Sequence, residues 1–213
     1  MAEIICVKNV SKKFGAQTVL EDVSLTCEAG KIYGIIGYNG SGKSVLFKCI
    51  CGLYHADTGE IHIREKQLGK DMDMIENAGV IIEEPAFLKQ YSGLRNLELL
   101  WLLNNKKDSK KLQDVMRTVG LDPANRKPVG KYSLGMKQRL AIAQAIMEEQ
   151  DILILDEPMN GLDKDGVAQM RELFLRFKEE GKTLLFASHN AQDIDVLCDE
   201  VYEMDKGRLE RIR

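Results

Sequence analysis

The sequence predicts an α/β fold: a mostly parallel sheet with an N-terminal antiparallel β subdomain and an inserted α-helical subdomain. Strand and helix patterns alternate over residues 148–213, which is typical of a parallel sheet. Alternating apolar positions over residues 3–10 and 17–28 indicate a twisted antiparallel pair of strands. Residues 86–147 carry helical periodicity instead, so we expect a helical insertion within an α/β domain.

These patterns make the 213-residue chain a single domain with two subdomains. We expect residues 1–85 and 148–213 to form the core together with the β subdomain. Residues 86–147 are expected to form the helical subdomain. A domain of this length buries a sizeable core without the help of disulfides or a metal ion.

The first half of the chain supplies strands on both sides of a glycine-rich segment. Residues 31–36 form a short β-type run, and residues 45–50 suit a helix. Residues 60–64 alternate as a half-exposed strand, and residues 79–82 have the apolar character of a buried strand. Between these strands, residues 65–77 are polar and predict a loop with a short helix.

The second half of the chain supplies the helices and the remaining strands. Leucines at helical spacing predict an amphipathic helix over residues 93–104, and a second helix covers residues 109–119. Ser133 is expected to cap a longer helix that runs to about Glu148. Residues 152–155 are all apolar, which predicts a strand buried on both faces. The last predicted elements are helix 166–180, strand 182–187, helix 190–197 and hairpin 200–210.

Composition and charge argue against several classes of protein. The 30 basic and 33 acidic residues give a net charge of −3, so we expect no nucleic-acid partner. No apolar run approaches the roughly 20 residues that span a bilayer. The N-terminal residues lack the basic region of a signal peptide, so none is expected. Five scattered cysteines make a poor disulfide framework, which predicts buried thiols in a reduced, cytoplasmic protein.

The glycine-rich segment fits the phosphate-binding loop pattern of Gly, four free positions and Gly-Lys-Ser. Backbone N–H groups must wrap a polyphosphate, and glycines keep Cβ atoms out of the way. The lysine places a charge on the β and γ phosphates, the serine hydroxyl can hold Mg²⁺, and the next helix points its positive end at the anion. The strand, loop and helix together predict a P-loop NTPase core. The predicted phosphate-binding residues are Gly37, Tyr38, Asn39, Gly40, Ser41, Gly42, Lys43 and Ser44.

Three further side chains follow the ends of apolar strands. Asp156 is the expected partner carboxylate for Mg²⁺, and Glu157 can polarise an attacking water as a general base. His189 follows the strand predicted over residues 182–187. Because ligands of open α/β folds bind where the strands end, we expect His189 to bond a γ-phosphate or order the water.

Phe14 lies on the predicted turn between the first two strands. An aromatic side chain at this place suits the core. It equally suits a flat platform for a nucleotide base, so this pattern leaves both roles open.

The order of these motifs resembles the ATP-binding subunit of ATP-binding-cassette (ABC) transporters over essentially the whole chain. Residues 37–44 match the Walker A motif, and residues 152–157 match the Walker B motif. Residues 132–139 match the signature region, and residues 160–163 match the D-loop. His189 takes the place of the switch histidine.

The resemblance implies ATP and Mg²⁺ as ligands, held between two subunits of a head-to-tail dimer. Phe14 sits at the adenine-stacking position. Ser133 and Gly135 of one subunit would meet the γ-phosphate bound to the other, and Asp163 of the D-loop belongs to the same nucleotide site. The resemblance also implies a homodimer or a paired ATPase subunit, and a separate integral membrane permease. That permease would hold the chain at the cytoplasmic face of the cell membrane.

Two positions depart from the common family pattern. The usual signature is Leu-Ser-Gly-Gly-Gln, and here only Ser133 and Gly135 keep their places. Glu83 replaces the family's glutamine after the strand over residues 79–82, just before Pro85, which is expected to end that strand. Both departures resemble the exporter branch that includes bacitracin-resistance and lantibiotic-immunity transporters. The resemblance implies that Glu83 reaches Mg²⁺ and the attacking water and links them to the helical subdomain.

The leading hypothesis is an ATPase subunit that drives a separate permease, which exports a peptide antibiotic or another toxic compound. A P-loop kinase of a small molecule would need an acceptor pocket and a lid, and the signature, D-loop and switch histidine argue against it. A soluble ATP-switch protein is a third class, and it usually carries paired cassettes or a long coiled coil. Co-purification with a membrane protein would separate the first class from the third.

Overall fold

The computed structural model describes residues 2–83 and 86–213, and over these residues it contains ten strands, six α-helices and one 3-10 helix. The strands are β1 (Glu3–Phe14), β2 (Gln17–Glu28), β3 (Ile32–Ile36), β4 (Thr58–Ile63), β5 (Lys66–Gln67), β6 (Ala78–Ile81), β7 (Ile152–Asp156), β8 (Thr183–Ala187), β9 (Glu200–Asp205) and β10 (Arg208–Arg211). The α-helices are α1 (Lys43–Ile50), α2 (Gly93–Trp101), α3 (Ser109–Thr118), α4 (Leu134–Ile146), α5 (Lys164–Glu179) and α6 (Ala191–Leu197). The 3-10 helix is Val129–Lys131.

The larger sheet has six strands in the order β10, β9, β3, β8, β7, β6. Four neighbouring pairs are parallel: β6 with β7, β7 with β8, β8 with β3, and β3 with β9. The edge strand β10 pairs antiparallel with β9. Parallel neighbours need long crossover connections, which the helices supply. The carboxyl ends of β3, β6, β7 and β8 therefore meet at one edge, where open α/β sheets bind ligands.

The smaller sheet is antiparallel, in the order β2, β1, β4, β5. Strand β1 is longer than the sequence predicts, because Phe14 pairs with Gln17 across a two-residue turn. Phe14 therefore stands at the end of a strand rather than on the turn itself. With this sheet, the parallel sheet and the helices between β6 and β7, the predicted α/β fold class is confirmed.

Strand β7 shows why an apolar run is needed at the centre of the larger sheet. Ile152 and Ile154 pack on one face, against the antiparallel sheet and α1. Leu153 and Leu155 alternate to the other face and pack against the helices. Both faces of the strand are buried, as predicted for a parallel strand covered on its two sides.

The cap predicted at Ser133 is confirmed, and α2 and α3 begin with side-chain caps of the same kind. Ser92, Asp108 and Ser133 each accept a hydrogen bond from a backbone N–H in the first turn of α2, α3 and α4. These bonds satisfy N–H groups that have no partner within the helix. Helices α2 and α3 end within a few residues of the predicted positions.

The short helix predicted within residues 65–77 is wrong. Strand β5 and a series of turns occupy this segment. The Asp71 carboxylate accepts a hydrogen bond of 2.9 Å from the backbone N–H of Gln67, and such local bonds compete with helix formation. The prediction that Pro85 ends β6 lies outside the described residues, as does Glu84.

The five cysteines are free thiols, and four of them are buried. Burial raises the pKa of Cys49 to about 11 and the pKa of Cys51 and Cys198 to about 12. These three groups therefore stay protonated at neutral pH and behave as small apolar side chains. As to membrane spans, every helix within residues 2–83 and 86–213 is too short or too polar to cross a bilayer.

A buried ion pair ties α5 to α6. The Asp193 carboxylate is 1% exposed and accepts hydrogen bonds from Arg171 Nε at 2.9 Å and Nη2 at 2.5 Å. The Ser188 hydroxyl, next to His189, donates to the other oxygen at 3.4 Å. The pair therefore joins two helices to the loop that carries His189.

Replacing Arg171 with methionine is expected to lower the free energy of unfolding by about 3 kcal/mol, because it leaves a buried carboxylate without its partner. Urea unfolding followed by circular dichroism measures this loss. Arg176→Met is the matched control, since Arg176 makes an exposed pair with Glu180 at 3.8 Å. It should change stability by less than about 0.5 kcal/mol. Equal losses in both variants would contradict a structural role for the buried pair.

Candidate active site

The loop between β3 and α1 turns tightly and leaves no space for side chains at two of its glycines. Gly37 has a φ of 150°, and a Cβ there would lie 2.4 Å from the Met204 carbonyl oxygen. Gly42 has a φ of 119° and precedes α1, and a Cβ there would lie 2.9 Å from the Val19 carbonyl oxygen. This loop therefore requires glycine at both places.

The Lys43 side chain folds back over the loop between β3 and α1. Its side chain is 7% exposed, and its ammonium donates to the carbonyl oxygens of Gly37 at 2.7 Å and Tyr38 at 3.1 Å. The Ser41 hydroxyl is buried in the same loop and has no hydrogen-bond partner among the described residues. A concentrated positive charge and a free buried hydroxyl beside a helix N-terminus fit an anionic ligand.

Two oxygen ligands for a hard cation stand at the mouth of this loop. The Ser44 hydroxyl, in the first turn of α1, donates to Asp156 Oδ2 at 2.5 Å. Asp156 is the last residue of β7, so the parallel sheet brings it to the same edge as the loop after β3. A hydroxyl and a carboxylate are the kind of ligands that Mg²⁺ prefers, and this arrangement fits the predicted metal position.

Glu157 and His189 contact each other directly. His189 Nδ1 lies 2.9 Å from Glu157 Oε2, with the histidine largely exposed and the glutamate half-buried. The Glu157 backbone N–H donates to the Ala187 carbonyl oxygen at 3.0 Å, which fixes it beside the end of β8. The two side chains predicted to handle the attacking water therefore form one pair at the sheet edge.

A cleft of about 490 Å³ opens at this edge. Lys43, Ser44, Asp156, Glu157 and Glu83 stand in its wall, with Asn39, Gly40 and Gly42 from the loop. Val19 and Val45, which had no predicted role, also line the wall. So do Leu134 and Gln138 of the signature region and Asn160 of the D-loop, which were matched to motifs but not predicted to line this cleft. The predicted residues that do not line the cleft are Phe14, Gly37, Tyr38, Ser41, Ser133, Gly135, Asp163 and His189. Of these, Gly37, Tyr38 and Ser41 belong to the loop between β3 and α1.

The family described as "ABC transporter" matches residues 20–160 of the chain. The chain belongs to the ABC transporter family. It is similar to the uncharacterized ABC transporter ATP-binding protein YybJ of Bacillus subtilis (strain 168), with 44% identity over 207 residues that cover 97% of this chain and 95% of YybJ. The resemblance of the motifs to ABC ATP-binding subunits is thereby confirmed.

Two other ABC relatives carry a transport cargo in their names. The lantibiotic transport ATP-binding protein SrtF of Streptococcus pyogenes is 35% identical over 204 residues, which cover 95% of this chain and 87% of SrtF. The bacitracin transport ATP-binding protein BcrA of Enterococcus faecalis is 35% identical over 211 residues, which cover 98% of this chain and 68% of BcrA. The fold matches a solved dimeric bacterial ABC transporter cassette with a TM-score of 0.87, at 22% identity and 99% coverage of both chains.

Helix α4 begins within the ABC signature region, with Ser133 as its N-cap. The Ser133 hydroxyl accepts a hydrogen bond of 3.2 Å from the Met136 backbone N–H, and Ser133 is exposed. Gly135 packs so closely on the D-loop that a Cβ there would lie 2.8 Å from the Gly161 carbonyl oxygen. Asp163, at the end of the D-loop, caps α5 by accepting from the Gly166 N–H at 3.0 Å. The signature region, residues 132–139, and the D-loop, residues 160–163, therefore pack against each other, and together they are called the signature surface.

Gln138 ties that surface to the Walker B segment. Its side-chain amide donates to the carbonyl oxygens of Pro158 at 3.0 Å and Glu157 at 3.4 Å. The position was visible in the sequence as part of the signature region, but nothing in the pattern indicated which backbone it would reach. The contact joins the first turns of α4 to the residues that follow β7.

Phe14 stands apart from the phosphate loop, at the end of β1, and is 43% exposed. Its ring meets the edge of Tyr54 at a centroid distance of 5.3 Å and an interplanar angle of 69°. The Lys12 ammonium lies 5.5 Å from the ring centroid. Phe14 is therefore a partly exposed aromatic rather than a core residue, and it does not line the cleft.

Glu83, the glutamate in the place of the ABC family's glutamine, contacts a residue that sequence reasoning missed. Lys48 Nζ donates to Glu83 Oε1 at 2.5 Å, and this hydrogen bond raises the pKa of Lys48. Lys48 lies four residues after Ser44, one helical turn along α1, and that spacing was the available signal. Glu83 thus reaches the predicted sheet edge, and its carboxylate is already paired there.

Proposed function

We propose that the chain is the ATP-hydrolysing subunit of an ABC transporter, and that it drives a separate membrane permease that exports a peptide antibiotic or another toxic compound. The observation that carries the proposal is the cleft wall, which combines Lys43, Ser44, Asp156 and Glu157. Two relatives named for lantibiotic and bacitracin transport support the cargo class. The chain would work at the cytoplasmic face of the membrane, held there by the permease.

The phosphate loop binds the triphosphate of ATP in this proposal. Backbone N–H groups of residues 37–44 and the Lys43 ammonium hold the β and γ phosphates, and Phe14 stacks on the adenine. Ser44 and Asp156 would hold Mg²⁺, with Glu83 close by in the same wall. When bound, Mg²⁺ neutralises charge on the β and γ phosphates.

Glu157 and His189 prepare the water that attacks the γ-phosphate. Glu157 accepts a proton from this water as a general base, which requires a carboxylate within hydrogen-bond reach of it. The His189 ring holds the Glu157 carboxylate in place through the 2.9 Å contact. In this proposal the other ring nitrogen would face the γ-phosphate, which is the role expected from the sequence.

The signature surface completes the site of a second copy in this proposal. Ser133 is exposed at the N-terminus of α4 and stands outside the described wall of its own cleft. In a head-to-tail dimer, Ser133 and Gly135 would bring that helix N-terminus to the γ-phosphate of the partner's ATP, with Asp163 beside it. Residues 86–147 would form the helical subdomain that carries the signature region and contacts the permease.

The segment after Glu83 offers a surface for that permease. Leu88 is 46% exposed and Tyr91 is 42% exposed, on residues that precede α2. Phe87, by contrast, is partly buried against the core, so Leu88 and Tyr91 are the exposed apolar side chains proposed to meet a partner. Exposed apolar groups on the loop before α2 suit a docked helix.

We expect photo-crosslinkers placed at Leu88 or Tyr91 to capture an integral membrane protein in cells. A crosslinker at Leu53, which is 49% exposed and follows α1, is the matched control and should not capture it. Mass spectrometry of the adducts from solubilised membranes identifies the partner. Adducts with soluble proteins alone would overturn the proposed transport role, and equal capture at Leu53 would overturn the proposed docking surface.

A further inference from the structure

Lys48 pairs with a carboxylate from a different part of the chain. Lys48 lies on α1, one turn after Ser44, whereas Glu83 follows the end of β6. The 2.5 Å contact between Lys48 Nζ and Glu83 Oε1 therefore joins the helix of the phosphate loop to the segment that leads into the helical insertion. No general role of a phosphate-binding loop requires this lysine.

Glu83 needs an external restraint to keep its place. Its backbone has a φ of 63°, in the left-handed region that non-glycine residues seldom adopt. Its side chain is 65% exposed, and within the described residues Lys48 is the one side chain that hydrogen-bonds its carboxylate. Without Lys48 the carboxylate would be free to rotate into solvent.

Lys48 is itself held firmly. Its side chain is 17% exposed, and its ammonium lies 5.3 Å from the centroid of the Tyr54 ring. Tyr54 in turn packs against Phe14, the proposed adenine platform. The ammonium therefore sits between an aromatic face and a carboxylate, a position that a freely moving surface lysine does not keep.

The positive charge of Lys48 also matters for the electrostatics of the cleft. Glu83, Asp156 and Glu157 place three carboxylates in the cleft wall, and Lys43 is the one cationic side chain among the described residues of that wall. A third carboxylate next to a triphosphate is unfavourable unless another charge offsets it. Lys48 supplies that charge from behind the wall.

We propose that Lys48 is a positioning residue for Glu83: it holds the carboxylate at the cleft wall and offsets its charge, without touching the nucleotide. The inference rests on the proposed ATPase function. It goes further by assigning the Glu83 carboxylate a dedicated partner on α1.

The test compares Mg-ATP turnover by the wild-type chain, Lys48→Met, Glu83→Ala and the double variant. We expect Lys48→Met to lower kcat by at least about tenfold when Glu83 is present, and by less than about twofold in the Glu83→Ala chain. Lys48→Arg keeps the charge and should retain most of kcat. Lys66→Met is the matched control, because Lys66 forms an exposed pair with Glu76. This variant should turn over ATP at the wild-type rate.

A second readout separates positioning from nucleotide binding. Fluorescent ATP titrated in EDTA should bind Lys48→Met with a Kd within about threefold of wild type, because Lys48 acts behind the wall. Thermal unfolding checks that each variant folds, and Lys48→Gln replaces Lys48→Met if the methionine variant does not. Equal loss of kcat with and without Glu83, wild-type kcat in Lys48→Met, or a tenfold weaker Kd would each overturn the inference. A wild-type chain without ATPase activity would instead refute the proposed function.

Discussion

Replacing Lys43 with alanine is expected to lower kcat/KM for ATP on the order of 10³-fold, about 4 kcal/mol in the barrier. The physical reason is position: the ammonium is 7% exposed and held 2.7 Å from the Gly37 carbonyl oxygen, at the centre of the loop. No other described cation stands in the cleft wall to replace it. A phosphate release assay with Mg-ATP measures the loss.

Two further variants make the Lys43 result decisive. Lys43→Met keeps most of the side-chain volume, so it separates lost charge from a collapsed loop, and it should lose as much activity as the alanine variant. Lys70→Ala is the matched control, because Lys70 is exposed on the turns after β5. Normal ATP hydrolysis by Lys43→Met would show that the loop is not the nucleotide site.

The central strands could be predicted because their sequence pattern has one structural solution. Four apolar residues before Asp156 must be covered on both faces, and only the centre of a layered sheet offers that. Parallel pairing then carries Asp156, Glu157 and the loop after β3 to one edge. Site residues at the ends of such strands follow from topology, so they were predictable.

Contacts between distant segments were not predictable in the same way. The pairing of Lys48 with Glu83 depends on how α1 packs beside the end of β6, and no periodicity encodes that distance. The end of β1 was misplaced for a related reason, since Phe14 joins the strand through its cross-strand partner Gln17. The helix expected within residues 65–77 failed because local side-chain bonds such as that of Asp71 favour turns.

Replacing Glu157 with glutamine is the variant expected to arrest the proposed cycle after ATP binding. Glutamine keeps the shape, and its amide oxygen can still accept from His189 Nδ1, which lies 2.9 Å from Glu157 Oε2. It cannot take a proton from water, so we expect kcat to fall about 10²- to 10⁴-fold while ATP binding is retained. The exposed Glu172 on α5 gives the matched control, Glu172→Gln, which should keep wild-type turnover.

The Glu157→Gln variant also tests whether two copies of the chain share each nucleotide site. If Ser133 and Gly135 of one copy bind the γ-phosphate held by the other, then uncleaved ATP bridges the two copies and holds them together. Sedimentation velocity should then show Glu157→Gln as a dimer in saturating Mg-ATP and as a monomer without nucleotide. Adding Ser133→Arg should abolish that dimer, because the bulky cation would obstruct the exposed N-terminus of α4. Wild type hydrolyses its ATP and should dimerise only transiently, so a Glu157→Gln protein that stays monomeric in saturating Mg-ATP would refute the shared site.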